Sequence, residues 1–302
     1  MTLLWIPLTI AAAFLQNVRS ALQKHLKGEL GTIGATFVRF GYGFPFALLY
    51  LAALVLLFDF ELPRLNNDFL AFAAVGGLAQ ILATALLVTL FDARNFAVGT
   101  TYSKTETVQA AVFALVFLGE SISTAATVGI LVGLVDVIAI SAARAPAGLA
   151  GIAKSWLARP ALIGLASGAF FGVAAVSYRG ASLSLGGDGF LVQASFTLAV
   201  VLVFQTVVMA TFMALRDPGE IRRVIKAWRV AGLVGLSGAL ASIGWFTAMT
   251  IQNVAYVRAL GQIELVFTFI ASVMFFHEKS TRGEIFGIVL IVGGILLLLL
   301  KG

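Results

Sequence analysis

FALVFLGESISTAATVGILVGL, residues 113–134, and FIASVMFFHEKSTRGEIFGIVLIVGG, residues 269–294, share one plan. In each, an apolar helix ends at a glutamate, Glu120 or Glu278, and a second apolar helix rich in small residues follows. The apolar runs are continuous, as are Leu48–Phe58 and Ile285–Leu300. Continuous runs predict membrane helices, whereas a β-barrel would show short alternating strands.

The whole chain agrees with these two stretches. Of 302 residues, 60% are hydrophobic and 11% charged, where a soluble domain carries about 25% charged. Mean hydropathy is +1.03. Such a chain cannot cover its own surface with polar groups, so a water-soluble globule is excluded. The fold class is all-α polytopic membrane protein. Ten spans are predicted, at roughly 3–22, 34–58, 69–91, 97–118, 123–142, 160–178, 189–215, 230–251, 254–276 and 281–300. The first and fourth are the most polar. They carry Gln16, Asn17 and Arg19, and the run Thr100 to Thr107. Polar groups at that depth must face protein or a wet cavity.

The N-terminus has no basic residue before its apolar run, so its first segment is expected to remain as a span. The absence of Cys removes disulfide and thiolate chemistry, and His25 and His277 are too few for a histidine metal site, so no metal or cofactor is expected. A net charge of +6 reads as cytoplasmic loop bias rather than nucleic-acid binding. The stretch 216–229, RDPGEIRRVIKAWR, predicts a short basic surface helix, with Asp217 as N-cap, Pro218 at the first helical position and Glu220 in the first turn.

The two halves align without gaps at an offset of 158. Gly77 falls on Gly235, Ala83 on Ala241, Asn95 on Asn253, Glu106 on Glu264, Glu120 on Glu278 and Gly129 on Gly287. This predicts a five-span repeat over 1–142, a linker over 143–159 and a second repeat over 160–302. Five is odd, so the second copy is inverted, an architecture of transporters with a site near the midplane. Glycines at four-residue spacing, Gly164, Gly168 and Gly172, Gly129 and Gly133, and Gly283 and Gly287, predict close helix packing.

Glu106 and Glu264 lie about ten residues into their spans, hence about 15 Å deep in a core about 30 Å thick. An ionisable group there is a functional candidate, for proton coupling or as a counter-charge to substrate. Tyr102, Glu106 and Gln109 share one helix face at i, i+4 and i+7, which reads as a cavity wall. Lys104, on the far side, is expected to pair with Asp136 at similar depth. Arg19 and Arg39 either snorkel or hold a substrate carboxylate. Gln16, Asn17, Gln80, Tyr178, Gln193, Trp245, Tyr256 and Gln262 are further binding candidates within the spans. Glu120 and Glu278, at span ends, are expected to fix turns.

The chain resembles the drug/metabolite transporter superfamily, in its ten-span EamA-type branch. The likeness rests on the two helix–Glu–helix copies quoted above and on TFVRFGYGFPFALLY around Arg39. It implies a cavity lined by spans one to four and six to nine, with five and ten peripheral. Many members carry Pro in the middle of spans four and nine. This chain has Glu106 and Glu264 in that neighbourhood instead. The implied function is secondary transport of a small polar organic metabolite, an amino acid or related zwitterion first and a quaternary amine next, with protons as a candidate coupling ion. The implied setting is a bacterial inner membrane and a monomer. An intramembrane enzyme is the alternative, but HExxH, GxSxG and Cys are all missing, as is the GxxxxGK[ST] of an ATP-driven pump.

With ten spans, one face carries Arg64, Arg179 and Lys301. The other carries Lys24, Lys27, Arg94, Arg144, Lys154, Arg159, Arg216, Arg222, Arg223, Lys226, Arg229, Lys279 and Arg282. The charge rule puts this second face in the cytoplasm and both termini outside, the reverse of what the family resemblance implies. A reporter fused after Lys301 should therefore behave as periplasmic. Cytoplasmic behaviour would overturn the span count or the charge rule for this chain.

Overall fold

The computed structural model describes residues 3–90, 102–143, 157–187, 189–275 and most of 287–296; side chains at 125, 136–143, 268 and 271–275 are outside the description. The described residues are mostly helical, and no strand occurs among them. They form α1 (Trp5–Leu26), α2 (Thr32–Gly41), α3 (Phe44–Phe58), α4 (Asn67–Leu90), α5 (Glu106–Leu118), α6 (Thr124–Ala143), α7 (Arg159–Ser184), α8 (Phe190–Arg216), α9 (Pro218–Lys226), α10 (Trp228–Ile251), α11 (Val254–Gly261) and α12 (Ile263–Phe275).

Five segments are long and apolar enough to cross a bilayer: Thr32–Phe58, Asn67–Leu90, Arg159–Ser184, Phe190–Arg216 and Trp228–Ile251. Leu49, Leu56, Leu57, Val207 and Leu215 point outward from these helices. Lipid accepts such side chains, so this is a multi-pass integral membrane protein. The other expected spans are more polar, interrupted, or fall partly on residues outside the description. Most of 97–101 and 276–286 lies there, so the start of the fourth span and the start of the tenth are not described.

Local chemistry explains several boundaries. Pro45 stands in the first turn of α3 and cannot continue α2, so the second span breaks at Tyr42–Gly43. Asn253 starts α11 by accepting the Ala255 N–H at 2.8 Å. Asp217 caps α9 by accepting the Glu220 N–H at 3.2 Å, as its sequence predicts. Glu220 then turns inward and accepts the Gly34 N–H at 3.2 Å, which ties α9 to α2.

Two further breaks are not visible in the sequence. The helix that holds Tyr102 and Ser103 loosens into a turn at Lys104–Thr105, and α5 starts at Glu106. Gln262 separates α11 from α12, and Glu264 is in the first turn of α12. The two breaks lie at matching places under the offset of 158. Both glutamates therefore sit at helix N-termini, where the helix dipole favours a negative charge.

α1 packs along α10, and α4 along α7. The offset carries α1 onto α7 and α4 onto α10, so each pairing is the image of the other. Thr32–Phe58, shifted likewise, falls on the bounds of α8.

Glycines make the close approaches. A Cβ on Gly168 of α7 would stand 2.8 Å from the Ser103 carbonyl and 3.2 Å from the Glu106 nitrogen, so the break at Lys104–Thr105 rests on that glycine. Gly172 holds the next turn against Ala110. In the peripheral helices, a Cβ on Gly294 would lie 3.2 Å from the Gly129 carbonyl. Gly129 and Gly287 are both buried.

Gly168→Val should push the Ser103–Glu106 turn off α7 and cost about 1–3 kcal/mol, the range for overpacking. Gly232→Ala, with nothing within 4 Å of its Cβ, should be neutral. Equal thermal stability of the two variants would show that the approach is not needed.

Candidate functional site

A cavity of about 160 Å³ lies between α1, α2, α4, the Ser103–Glu106 turn, α7, α10, α11 and α12. That is below the range of about 300–1,000 Å³ for drug-sized ligand sites. Its polar lining includes Gln16, Asn17, Arg19, Arg39, Gln80, Lys104, Glu106, Tyr178, Trp245, Arg258 and Glu264. Phe171, Phe246 and Met249 supply an apolar wall.

Two ion pairs cross between the halves of the chain. Lys104 Nζ donates to Glu264 Oε2 at 2.8 Å. Arg258 Nε lies 3.0 Å from Glu106 Oε1. The pairs are reciprocal, since each half gives one acid and one base.

They are not equally held. Glu264 Oε2 also accepts from Gln16 Nε2 at 2.8 Å, and the Glu264 carbonyl accepts from Asn17 Nδ2 at 3.1 Å. Gln16 is fixed in turn by Trp245 Nε1–H, which donates to Gln16 Oε1 at 3.1 Å. Glu106 Oε1 and Arg258 Nε, by contrast, are close but not aligned for a hydrogen bond. Arg258 instead lies over the Trp245 ring, 4.8 Å from its centroid. Gly261 makes room for that indole, because a Cβ there would meet it at 2.6 Å.

The breaks hold these groups in place. Gln262 Nε2 donates to Thr107 Oγ1 at 3.0 Å, joining the two break points directly. Gly133 of α6 leaves the space for Gln262, since a Cβ would stand 2.5 Å from Gln262 Oε1. Behind the cavity, the Tyr178 hydroxyl is 2.8 Å from Gln80 Oε1 and 3.0 Å from the Gly76 carbonyl, and it accepts from Gln205 Nε2 at 3.2 Å.

Of the residues proposed from sequence, Gln16, Asn17, Arg39, Gln80, Glu106, Tyr178, Trp245 and Glu264 meet in this cavity, and Gln262 lines a smaller one beside it. Tyr102 is fully buried outside the lining, and Gln109 Nε2 donates to Thr105 Oγ1 at 2.9 Å. The shared face expected of Tyr102, Glu106 and Gln109 assumed a continuous helix, and the turn at Lys104–Thr105 breaks it. Gln193 holds the Gly186 and Gly187 carbonyls at a helix entry, and the Tyr256 hydroxyl accepts the Ser123 N–H at 3.1 Å. Neither is in the described lining of the cavity. Lys104 sits with Glu264; the side chain of its expected partner, Asp136, lies outside the described residues, as does Glu278. Glu120 does fix a turn. It accepts from Arg179 Nε at 2.6 Å, while Arg179 Nη1 donates to the carbonyls of Met249 and Gln252 at 2.5 and 2.8 Å.

Arg258 is the main residue that sequence reasoning missed. Its signal was its place in a span, six residues before Glu264. The implied lining by spans one to four and six to nine also needs one correction. Span seven, α8, supplies none of the described lining of the main cavity, and its Gln205 acts from behind Gln80 and Tyr178.

No curated protein matches the chain. A solved crystal structure, titled only as that of a protein, superposes with a TM-score of 0.69 at 17% identity, over 97% of this chain and 95% of the other. That likeness concerns the fold. Residues 158–300 match the EamA-like transporter family. Family members are membrane transporters of small molecules rather than enzymes. With its apolar helices and that match over its second half, the chain is similar to the EamA-type transporters of the drug/metabolite transporter superfamily.

Proposed function

We propose that this protein is a secondary transporter that binds a small polar organic metabolite in the central cavity and moves it by alternating access between two inverted five-span repeats. One observation carries the reading most. Two helix breaks meet through the Gln262–Thr107 hydrogen bond, each presents a glutamate at a helix N-terminus, and each glutamate takes its base from the opposite half. Broken helices around a midplane site are how transporters expose polar groups to a solute without exposing backbone to lipid.

The ion pairs are the parts that would rearrange. Glu264 is held by Lys104, Gln16 and Asn17 together, so it acts as the fixed anchor. Among the described residues Glu106 has only an unaligned contact with Arg258, so it is the group that releases its partner and exchanges a proton as the halves rock. Away from the cavity lining, the Arg179–Glu120 pair joins α7 to the segment after α5 and to the end of α10. Arg258 already occupies a face of Trp245, which weighs against a quaternary-amine substrate at that ring.

Glu106→Gln keeps size and removes titration. In proteoliposomes offered a labelled panel of amino acids, carboxylates and quaternary amines, this variant should lose uptake driven by a proton gradient, while counterflow exchange persists. Glu264→Gln should instead lower the yield of folded protein and reduce both modes together. Parent-like gradient-driven uptake in Glu106→Gln would remove the coupling role, and a parent protein that moves no solute saturably would remove the transporter reading.

A further inference from the structure

The charges around the cavity do not balance. Four bases line it, Arg19, Arg39, Lys104 and Arg258, against two acids, Glu106 and Glu264. Lys104 and Arg258 are taken by the two acids. Arg19 and Arg39 form no ion pair with any carboxylate among the described residues.

These two arginines do not snorkel. A snorkelling arginine exposes its head, whereas Arg19 is 2% and Arg39 is 5% exposed. Their stems run side by side over Gly238 of α10. A Cβ there would lie 3.3 Å from Arg19 Cδ and 3.7 Å from Arg39 Cγ. Both residues line the same cavity, and both side chains are buried. Arg39 Nη1 donates to Thr84 Oγ1 at 3.0 Å, which orients it. Among the described residues Arg19 has only a long contact to Ser20 Oγ at 3.4 Å, and its buried Nε–H has no acceptor.

Two like charges side by side away from water repel strongly. A buried donor without an acceptor adds to the cost. An anion between them removes both penalties at once, and the guanidinium fork suits a carboxylate or phosphate oxygen pair. The apolar wall of Phe171, Phe246 and Met249 would then meet the rest of the molecule.

We propose that Arg19 and Arg39 form an oxyanion subsite, so that the transported solute is an organic molecule of net negative charge, a carboxylate or a phosphate. The assignment rests on the transporter reading for the word "transported", and on geometry alone for the subsite. It replaces the zwitterion expected from family resemblance. A zwitterion would need a free acid for its ammonium group, and both glutamates already hold a base.

The test uses four probes with a similar skeleton: 3-phenylpropionate, phenyl phosphate, phenylalanine and phenethylamine. Melting of the purified full-length protein is measured with each probe, and uptake of the same four is measured in proteoliposomes. At least one of the two anions should raise the melting temperature at concentrations where phenylalanine and phenethylamine do not; which anion does so tells carboxylate from phosphate. Arg19→Gln and Arg39→Gln should each weaken that anion by roughly tenfold or more, the size expected for a lost charge-assisted hydrogen bond. Arg19→Lys and Arg39→Lys should fall between, since they keep charge and lose the fork. Without ligand, Arg19→Gln should melt no lower than the parent, because one of two repelling charges is gone.

A preference for phenylalanine or phenethylamine would overturn the subsite. So would a lower unliganded melting point in both Gln variants, which would mark the arginines as structural, and so would the absence of any response to either anion. Arginine-dependent anion binding with no saturable flux of any probe would leave the subsite standing and bring down the transporter reading instead.

Discussion

A charge in the middle of a membrane protein has to find its opposite inside the protein. Here Glu106 and Glu264 find theirs in Arg258 and Lys104, each across the line between the halves of the chain. Much of the rest of the structure serves that exchange. The helix breaks bring Glu106 and Glu264 to helix N-termini. Gly168, Gly133 and Gly261 leave room for the Ser103–Glu106 turn, for Gln262 and for the Trp245 ring. Gln16 and Trp245 then lock one of the two pairs. The other pair has no such lock.

That asymmetry gives the site a direction of change. A tie that is over-determined by three donors stays, and a tie made by proximity alone yields first. On the proposed reading, the Lys104–Glu264 side is the pivot and the Glu106–Arg258 side is the switch. The Arg19–Arg39 pair, beside the same cavity, adds an unbalanced positive field that a solute can neutralise. On that proposal the pair is costly to bury, which is what a binding group at the expense of stability looks like.

Much of this was legible in the sequence, for identifiable reasons. Hydropathy marks long uniform helices such as Asn67–Leu90 and Phe190–Arg216 because lipid imposes their composition. Rare acids in an apolar chain stand out, so Glu106 and Glu264 could be found from depth and repeat spacing alone. The breaks could not. Pro45 announces the one at Tyr42–Gly43, but Lys104–Thr105 and Gln262 carry no Pro, and their turns are set by packing against Gly168 and Gly133 from distant helices. Face arithmetic carried across a break fails, and so Tyr102 and Gln109 were assigned to the cavity wall. Arg258 does not stand out in the sequence because nothing local tells a snorkelling arginine from a paired one. Gln193 and Tyr256 look like ligand groups in sequence and turn out to hold the ends of helices.

The central claim is that the Glu106–Arg258 contact is a true pair between two buried charges and also the moving part of the site. A double-mutant cycle reads this directly, with melting and uptake measured on Arg258→Gln, Glu106→Gln and the double variant. Removing one partner leaves a buried charge alone, which costs about 3–5 kcal/mol for a fully buried pair, and removing both relieves that charge. The account predicts that Arg258→Gln melts well below the parent, that the double variant recovers much of the loss, and that gradient-driven uptake stays absent in the double. A double variant that melts at the sum of the two losses, or one that transports like the parent, would contradict it.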